Sequence, residues 1–507
     1  MADYLSSNKT IAKNTLFLYM RMILMAVLGL YTSRIFLREL GITDYGINNV
    51  VGSLLALLTY ISGPLASSAS RFFAFEIGKG EKGELNKYFS TTINIHLIFS
   101  FLLLIVGETI GLWYLNNKLV IPPERIHAAT VVYHMSIVGT MLSLMVVPYN
   151  ALIIAHEHMK AFAYLSIGSA IFKLATAYFL CITPFDKLIT ISVLGVCFGA
   201  VVNFLYFVYC QKHFVEVRYK RIWDKNVFKE IMAFSGWSMA SYVPIGVTQV
   251  LNLLINAYFG PVLNAAKGIS DTVKEQMYSF ALNFMVAVNP QIVKSCAANN
   301  NTRLYELVEF SEKVSFTLLL LIMTPILYNI DNVLHLWLVE VPEHTPHLVI
   351  IVCITSIFRA VSNPLGVIAE AKNRIKLLNC ISVPYYILSL PASYLLLECG
   401  ASVEMLFLLL LLCDYFHFVI KAKIANRISG LPFYNQILTY TKYTIVIIFF
   451  AIIGYGLTHI NYGVFIDIFW KSILSLTLCV FVCYFFILNL SDRLILRHWI
   501  LSRISHG

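Results

Sequence analysis

The stretches PYNALIIAHEHMK at 148–160 and PLGVIAEAKNRIK at 364–376 are two versions of one segment, and their recurrence decides the fold. Pro148 falls on Pro364, Ala155 on Ala371 and Lys160 on Lys376. Working outward, the offset stays between 216 and 219: Gly41 falls on Gly260, Leu85 on Leu304 and Pro123 on Pro342. Proline position, loop charge and the lengths of apolar runs repeat together over about 150 residues. Each copy holds six apolar runs. An even number returns the chain to the side it started from, so both copies enter a membrane in the same orientation. That predicts a pseudo-twofold axis along the membrane normal and a cavity between the halves.

The chain of 507 residues is 59% hydrophobic and 13% charged, with a mean hydropathy of +0.75. A soluble domain carries about a quarter charged residues, so the solvent for most of this chain is lipid. A disordered chain, a secreted disulfide scaffold and a soluble enzyme are excluded. The expected fold is an all-α integral membrane protein with about 14 transmembrane helices. The spans run from 14–37 to 466–489, and 46–68 and 262–289 are the most polar of them. The predicted division is a six-helix lobe over 1–210, a basic cytoplasmic linker over 211–230, a second six-helix lobe over 231–425, and an extra helix pair with a tail over 426–507.

Charge sets the expected orientation. One set of loops carries 24 Lys and Arg, among them Lys79, Lys212, Arg218, Lys372, Arg374, Lys421 and Arg427. The opposite set carries 4: Arg38, Lys118, Arg125 and Lys187. The asymmetry places both termini in the cytoplasm. It also accounts for the net charge of +10 without nucleic acid. The N-terminus opens polar and shows no short core with a cleavage site, so no removable signal peptide is expected. The ten cysteines lie mostly in apolar runs and read as inert buried thiols. No C-x-x-C pair, no histidine at zinc spacing and no P-loop is read, so neither metal nor cofactor is expected.

Ionisable groups at membrane depth are costly and normally face protein or a water-filled cavity. The eighth span, VLNAAKGISDTVKEQMYSFALNFMVAVN (262–289), carries Asn264, Lys267, Asp271, Lys274 and Tyr278 at helical spacing on one face. Asn48, Thr59, Ser62 and Ser70 make a milder stripe on the repeat-related second span. Both helices therefore read as cavity-lining. The alternative is that Lys267 and Asp271 pair at i,i+4 and only pack between helices. Arg21 lies about 12 Å into the first span, where it either faces the cavity or snorkels to the interface. Lys173 and Arg359 sit near midplane, as substrate contacts or as partners of a buried acid such as Asp414. Glu108, Asp271, Asp414, His134 and His417 are candidates for proton coupling, with none singled out.

Two six-helix bundles plus a helix pair, the loop FLRELGITDYGINNV (36–50) and the segment RFFAFEIGKGEKGELNKYFSTT (71–92) resemble the Wzx-type (O-antigen) polysaccharide flippases of the MATE-like MOP exporter superfamily. The first loop is similar to that family's L-G-x-x-x-Y-G, the second to its cytoplasmic loop between spans two and three. The resemblance implies a non-enzymatic exporter in the bacterial inner membrane. It would carry a polyprenyl-pyrophosphate-linked oligosaccharide to the outer leaflet by alternating access, for surface polysaccharide biosynthesis. Membrane lipids, and polysaccharide polymerase or glycosyltransferase proteins, are the implied partners. Similarity to the lipid II flippases of the same superfamily, which have essential cavity arginines, puts Arg21 beside the cavity. Arg21 and Lys274 are then expected on the pyrophosphate, with Lys267 nearer the outer leaflet and Asp271 holding the lysines apart. The alternative function is a cation-coupled multidrug (MATE-like) exporter, which the cations in the first and eighth spans oppose. A membrane glycosyltransferase or polymerase is less consistent with short outer loops that lack D-x-D.

Overall fold

A computed structural model describes residues 2–58, 60, 62–79, 84–156, 158–214, 220, 223–298, 300–372, 374–458, 460, 462–489 and 493. Side chains are described from Ile23 onward, except at 58, 78, 159, 286, 287, 290, 294 and 297. Among these residues there are helices and no strands. The helices are α1 (Ala2–Leu58), α2 (Ser62–Gly78), α3 (Leu85–Val106), α4 (Leu112–Asn117), α5 (Ile126–Ala155), α6 (Met159–Ile182), α7 (Lys187–His213), α8 (Lys225–Met239) and α9 (Val243–Phe259). They continue with α10 (Pro261–Ala297), α11 (Asn301–Leu327), α12 (Ile330–Trp337), α13 (Thr345–Ala371), α14 (Ile375–Glu398), α15 (Val403–Ser429), α16 (Phe433–Thr458) and α17 (Val464–Val482).

Helix boundaries follow local chemistry. Asp186 caps α7 by accepting from the backbone N–H groups of Leu188 and Ile189, and Asp224 caps α8 through Asn226 and Val227. Gly430 ends α15 in the left-handed conformation. Gly41 interrupts α1 at φ 75° and ψ 171°.

Eleven helices among the described residues are long and apolar enough to cross a membrane, or up to twelve if the pair Ile23–Leu57 and Ser62–Ile77, bent by 52°, is one span. The eleven coincide with the third to seventh and the ninth to fourteenth expected spans, and the bent pair with the first two. The eighth, α10, is 37 residues long, about 55 Å. It is not among those eleven, and Lys267, Asp271, Lys274 and Glu275 crowd its first half. Apolar side chains point outward along the apolar helices, with Ile182 77% exposed and Phe101 62%, as a lipid solvent requires. The same fact corrects the reading of the cysteines. Cys181, Cys197 and Cys380 are exposed, because an apolar run in a membrane protein is as well satisfied by lipid as by a core.

The chain forms two compact units, Met1–Ile269 with Tyr386–Ala401, and Ser270–Tyr385 with Ser402–Gly507. In the first, α5 packs on α3 and α7, around a core that includes Phe73, Phe89, Leu152, Cys210 and Ile231. In the second, α13 packs on α11 and α15, and Phe418 stacks on Tyr440 at 3.5 Å between ring centroids. These are repeat-related helices. The two quoted segments have the same local structure: Pro148 and Pro364 both lie inside their helices, which end at Ala155 and Ala371. The N–H groups of His156 and His158 donate to the carbonyls of Leu152 and Ile153; those of Lys372 and Arg374 donate to Ile368 and Ala369. The helices that follow at the same offset, α7 and α15, are each 27 residues long.

Candidate functional site

In the second unit, α10, α13 and α15 bring ionisable groups together at mid-helix. The Arg359 Nε on α13 donates to the Asp414 Oδ2 on α15 at 2.8 Å, with the Asp414 side chain 2% exposed. Tyr278 on α10 hydrogen-bonds Asn363 and lies within electrostatic reach of Arg359 and Asp414. Lys421, two turns beyond Asp414 on α15, donates to the Ser362 hydroxyl at 3.2 Å, and His417 lies close to Lys421 and Arg359. Further along α10, the Lys274 ammonium donates to Asp271 Oδ1 at 2.6 Å. Lys274 is also within electrostatic reach of Cys353 on α13. Three cations and two carboxylates thus share one set of helix faces with an amide, two hydroxyls and an imidazole.

Of the residues singled out from sequence, the structure joins Tyr278 with Arg359, and Asp271 with Lys274. Asp414 is a partner of Arg359, one of the two roles the sequence left open. Asn264 is fully buried in the first unit, in an amide network. Its Nδ2 donates to the Asn252 Oδ1 at 2.7 Å, and its Oδ1 accepts from the Asn256 Nδ2 at 3.0 Å. Asn252 in turn donates to Asn49 and Ser53 on α1. Lys267 is 6% exposed one turn along. The helices come close here: a Cβ on Gly46 would lie 1.9 Å from the Pro261 carbonyl oxygen, and one on Gly268 would lie 1.8 Å from Asn49. Lys173 is exposed on α6. The Arg21 side chain lies outside the described residues.

Glu108 and His134 pair at 2.9 Å. They meet at the π turn Gly107–Gly111 that links α3 to α4, where the Tyr133 hydroxyl donates to the Gly107 carbonyl at 2.6 Å. A residue with a Cβ at 111 would collide with that hydroxyl at 2.0 Å.

Three features escaped the sequence. Lys421, a cytoplasmic-loop cation by its place in the sequence, lies inside α15. Asn363 and Ser362 looked like ordinary polar residues beside a helical proline. His344, His347 and Glu404 carry ligand atoms within 4.8 Å of one another, with a His344–Glu404 contact, where no zinc spacing had been read. His-x-x-His at 344–347 was the signal available; Glu404 comes from a distant helix.

The fold and these membrane-depth charges define a multi-pass α-helical protein built like the transporters of the MOP superfamily. A structure described as the inward-facing conformation of a multidrug resistance MATE family transporter of that superfamily matches with a TM-score of 0.68 at 12% identity, over 80% of this chain and 95% of that one. The lipid II flippase MurJ in an inward closed conformation matches with a TM-score of 0.68 at 11% identity, over 92% and 99%. A MOP superfamily transporter from Pyrococcus furiosus, described with a binding pocket of reverse polarity, matches with a TM-score of 0.57 at 12% identity, over 81% and 96%. Among curated proteins none matches. Residues 11–261 match the family model described as "Polysaccharide biosynthesis protein".

Proposed function

We propose that this protein moves a polyprenyl-pyrophosphate-linked oligosaccharide across the bacterial cytoplasmic membrane by alternating access, for surface polysaccharide assembly, with both termini cytoplasmic. The observation that carries the reading is the set of cations held at mid-helix by carboxylates, Arg359 by Asp414 and Lys274 by Asp271. A pyrophosphate cannot leave water unpaired, because transferring an isolated anion to low dielectric costs many kcal/mol. Cations already held on helix faces accept it without reorganising, and the adjacent carboxylate limits the grip so that the headgroup can leave. Arg359 offers phosphate a planar fork, whereas Lys274 acts as a point charge. Arg21 completes the anion contacts in this reading, Lys267 receives the headgroup nearer the outer leaflet, and Lys173 adds positive potential. Tyr278 and Asn363 supply hydroxyl and amide groups for sugar. Asn264 serves by holding α10 against α9. Glycosyltransferase or polymerase proteins would supply and consume the substrate.

The fold is equally that of drug exporters. An exporter of cationic drugs needs an acid free to meet its cargo, and here Asp271 and Asp414 each hold a cation. Reconstitution into liposomes decides between the two. A labelled polyprenyl-pyrophosphate oligosaccharide should become accessible on the opposite leaflet faster than in protein-free vesicles, and ethidium should not be moved. Ethidium transport without movement of the lipid would replace this function by drug export.

A further inference from the structure

The segment after α13 and the end of α15 form an open cleft of about 470 Å³ lined by Lys372, Arg374, Leu377, Arg427 and Ile428. Three of the five lining residues are cations and none is an acid. The loop-charge rule puts this junction on the cytoplasmic side. Its floor is apolar: Ala369, Leu378 and Ile424 are buried there, with Leu377 and Ile428 packed against them.

The repeat supplies a control within the same chain. Two hundred and sixteen residues earlier, the corresponding junction of α5, α6 and α7 is closed by stacked rings. His156 stacks on Phe214 at 4.2 Å and Tyr209 on His213 at 4.1 Å, and His158 Nδ1 is 2.9 Å from the Tyr209 hydroxyl. At those positions the second copy has Lys372 for His156, Arg374 for His158, Ala425 for Tyr209, Ser429 for His213 and Gly430 for Phe214. The fillers have become small and the rim has become cationic. Shrinking the fillers alone would leave an apolar gap, which costs stability. Bringing Arg374 and Arg427 to the same gap concentrates positive potential there, which favours an anion.

We infer that this junction is a binding site for a phosphate group, with Arg374 and Arg427 gripping its oxygens and Lys372 adding charge. Arginine matches phosphate geometry in pairs of hydrogen bonds, and basic pockets between transmembrane helices on the cytoplasmic side bind lipid headgroups. The group comes either from a lipid headgroup of the adjoining leaflet or from a soluble phosphate. Binding here is read without transport, so its failure leaves the transport reading standing, and failure of transport leaves this site standing.

The test is native mass spectrometry of the full-length protein exchanged between phosphatidylglycerol and phosphatidylcholine. Wild type should retain phosphatidylglycerol preferentially. Lys372→Gln/Arg374→Gln/Arg427→Gln should lower that retention by about tenfold. Lys212→Gln/Lys220→Gln/Lys225→Gln, which removes the same charge from exposed linker positions, should not. Arg427→Glu, a single exposed change in the last turn of α15, guards against misfolding of the triple variant and should also lower retention. Inorganic pyrophosphate then separates the sources: displacement of the lipid at millimolar concentration shows that a soluble phosphate is accepted at the site, and resistance shows that the headgroup is held as part of a lipid. Wild-type retention in both pocket variants, or an equal loss in the linker variant, overturns the site.

Discussion

Gly41 and Gly260 adopt the same backbone conformation, φ 75° and ψ 171° at the first, φ 77° and ψ −174° at the second. Both precede a polar-striped helix, and they are the pair that the internal repeat aligns. This region of backbone space is open to glycine almost alone. At neither position would a Cβ meet another atom within 4 Å, so the constraint is torsional. Gly41→Ala or Gly260→Ala should cost about 1–3 kcal/mol, read as a lowered unfolding midpoint in detergent. Gly195→Ala, at a helical position with equal space, should be neutral or slightly stabilising. Equal midpoints for all three variants would remove the conformational argument.

Arg359 and Asp414 can be separated into structural and transport roles. Arg359→Ala leaves a buried carboxylate with Lys421 still within electrostatic reach, so the loss should fall near the low end of about 3–5 kcal/mol. Arg359→Met/Asp414→Leu removes both charges and should regain most of the stability. Transport should be lost in both. A double variant that is stable and still translocates lipid-linked glycan would show the pair to be structural only.

Lys274→Ala and Arg21→Ala are each expected to abolish glycan export at normal protein levels, and Arg21→Lys should rescue only in part, since a point charge cannot replace a bidentate fork. Export assays with matched membrane abundance check this. Normal export in both alanine variants would retire the cationic-path mechanism.

Arg125 clamps three helices of the first unit. Its Nε donates to Asp44 at 2.8 Å on α1, and its Nη1 donates to Asp186 at 2.6 Å ahead of α7. The Arg125 guanidinium holds the Asp186 carboxyl below its ordinary range, aided by the capped N–H groups of α7. A carboxyl depressed on folding contributes stability above its unfolded pKa and loses it as pH falls through the folded value. Unfolding midpoints should therefore drop on acidification below the usual carboxylate range. Asp186→Asn should lower the neutral-pH midpoint and flatten that acid limb. An unchanged limb would assign the acid sensitivity to other groups.

Orientation is tested by single cysteines in a cysteine-free background. Cysteine at Asn116 should react with an impermeant maleimide in intact cells, and cysteine at Lys212 only after permeabilisation. The reverse pattern would invert the chain in the membrane.

The sequence by itself determined the helical membrane class, the placement of most spans, the recurrence of Pro148–Lys160 at Pro364–Lys376, and the odd character of α10. These are one-dimensional signals: hydropathy is summed along a run, and a proline or glycine acts where it stands. Tertiary structure alone decided which charges meet. Arg359 and Asp414 are 55 residues apart. Asn264 meets Asn252 and Asn256, and Lys421 sits inside α15 and not in the loop after it. Helix rotation makes these choices. In a lipid solvent an apolar face is content toward either bilayer or protein, so hydropathy cannot say which way a helix turns; only the packing of several helices at once does.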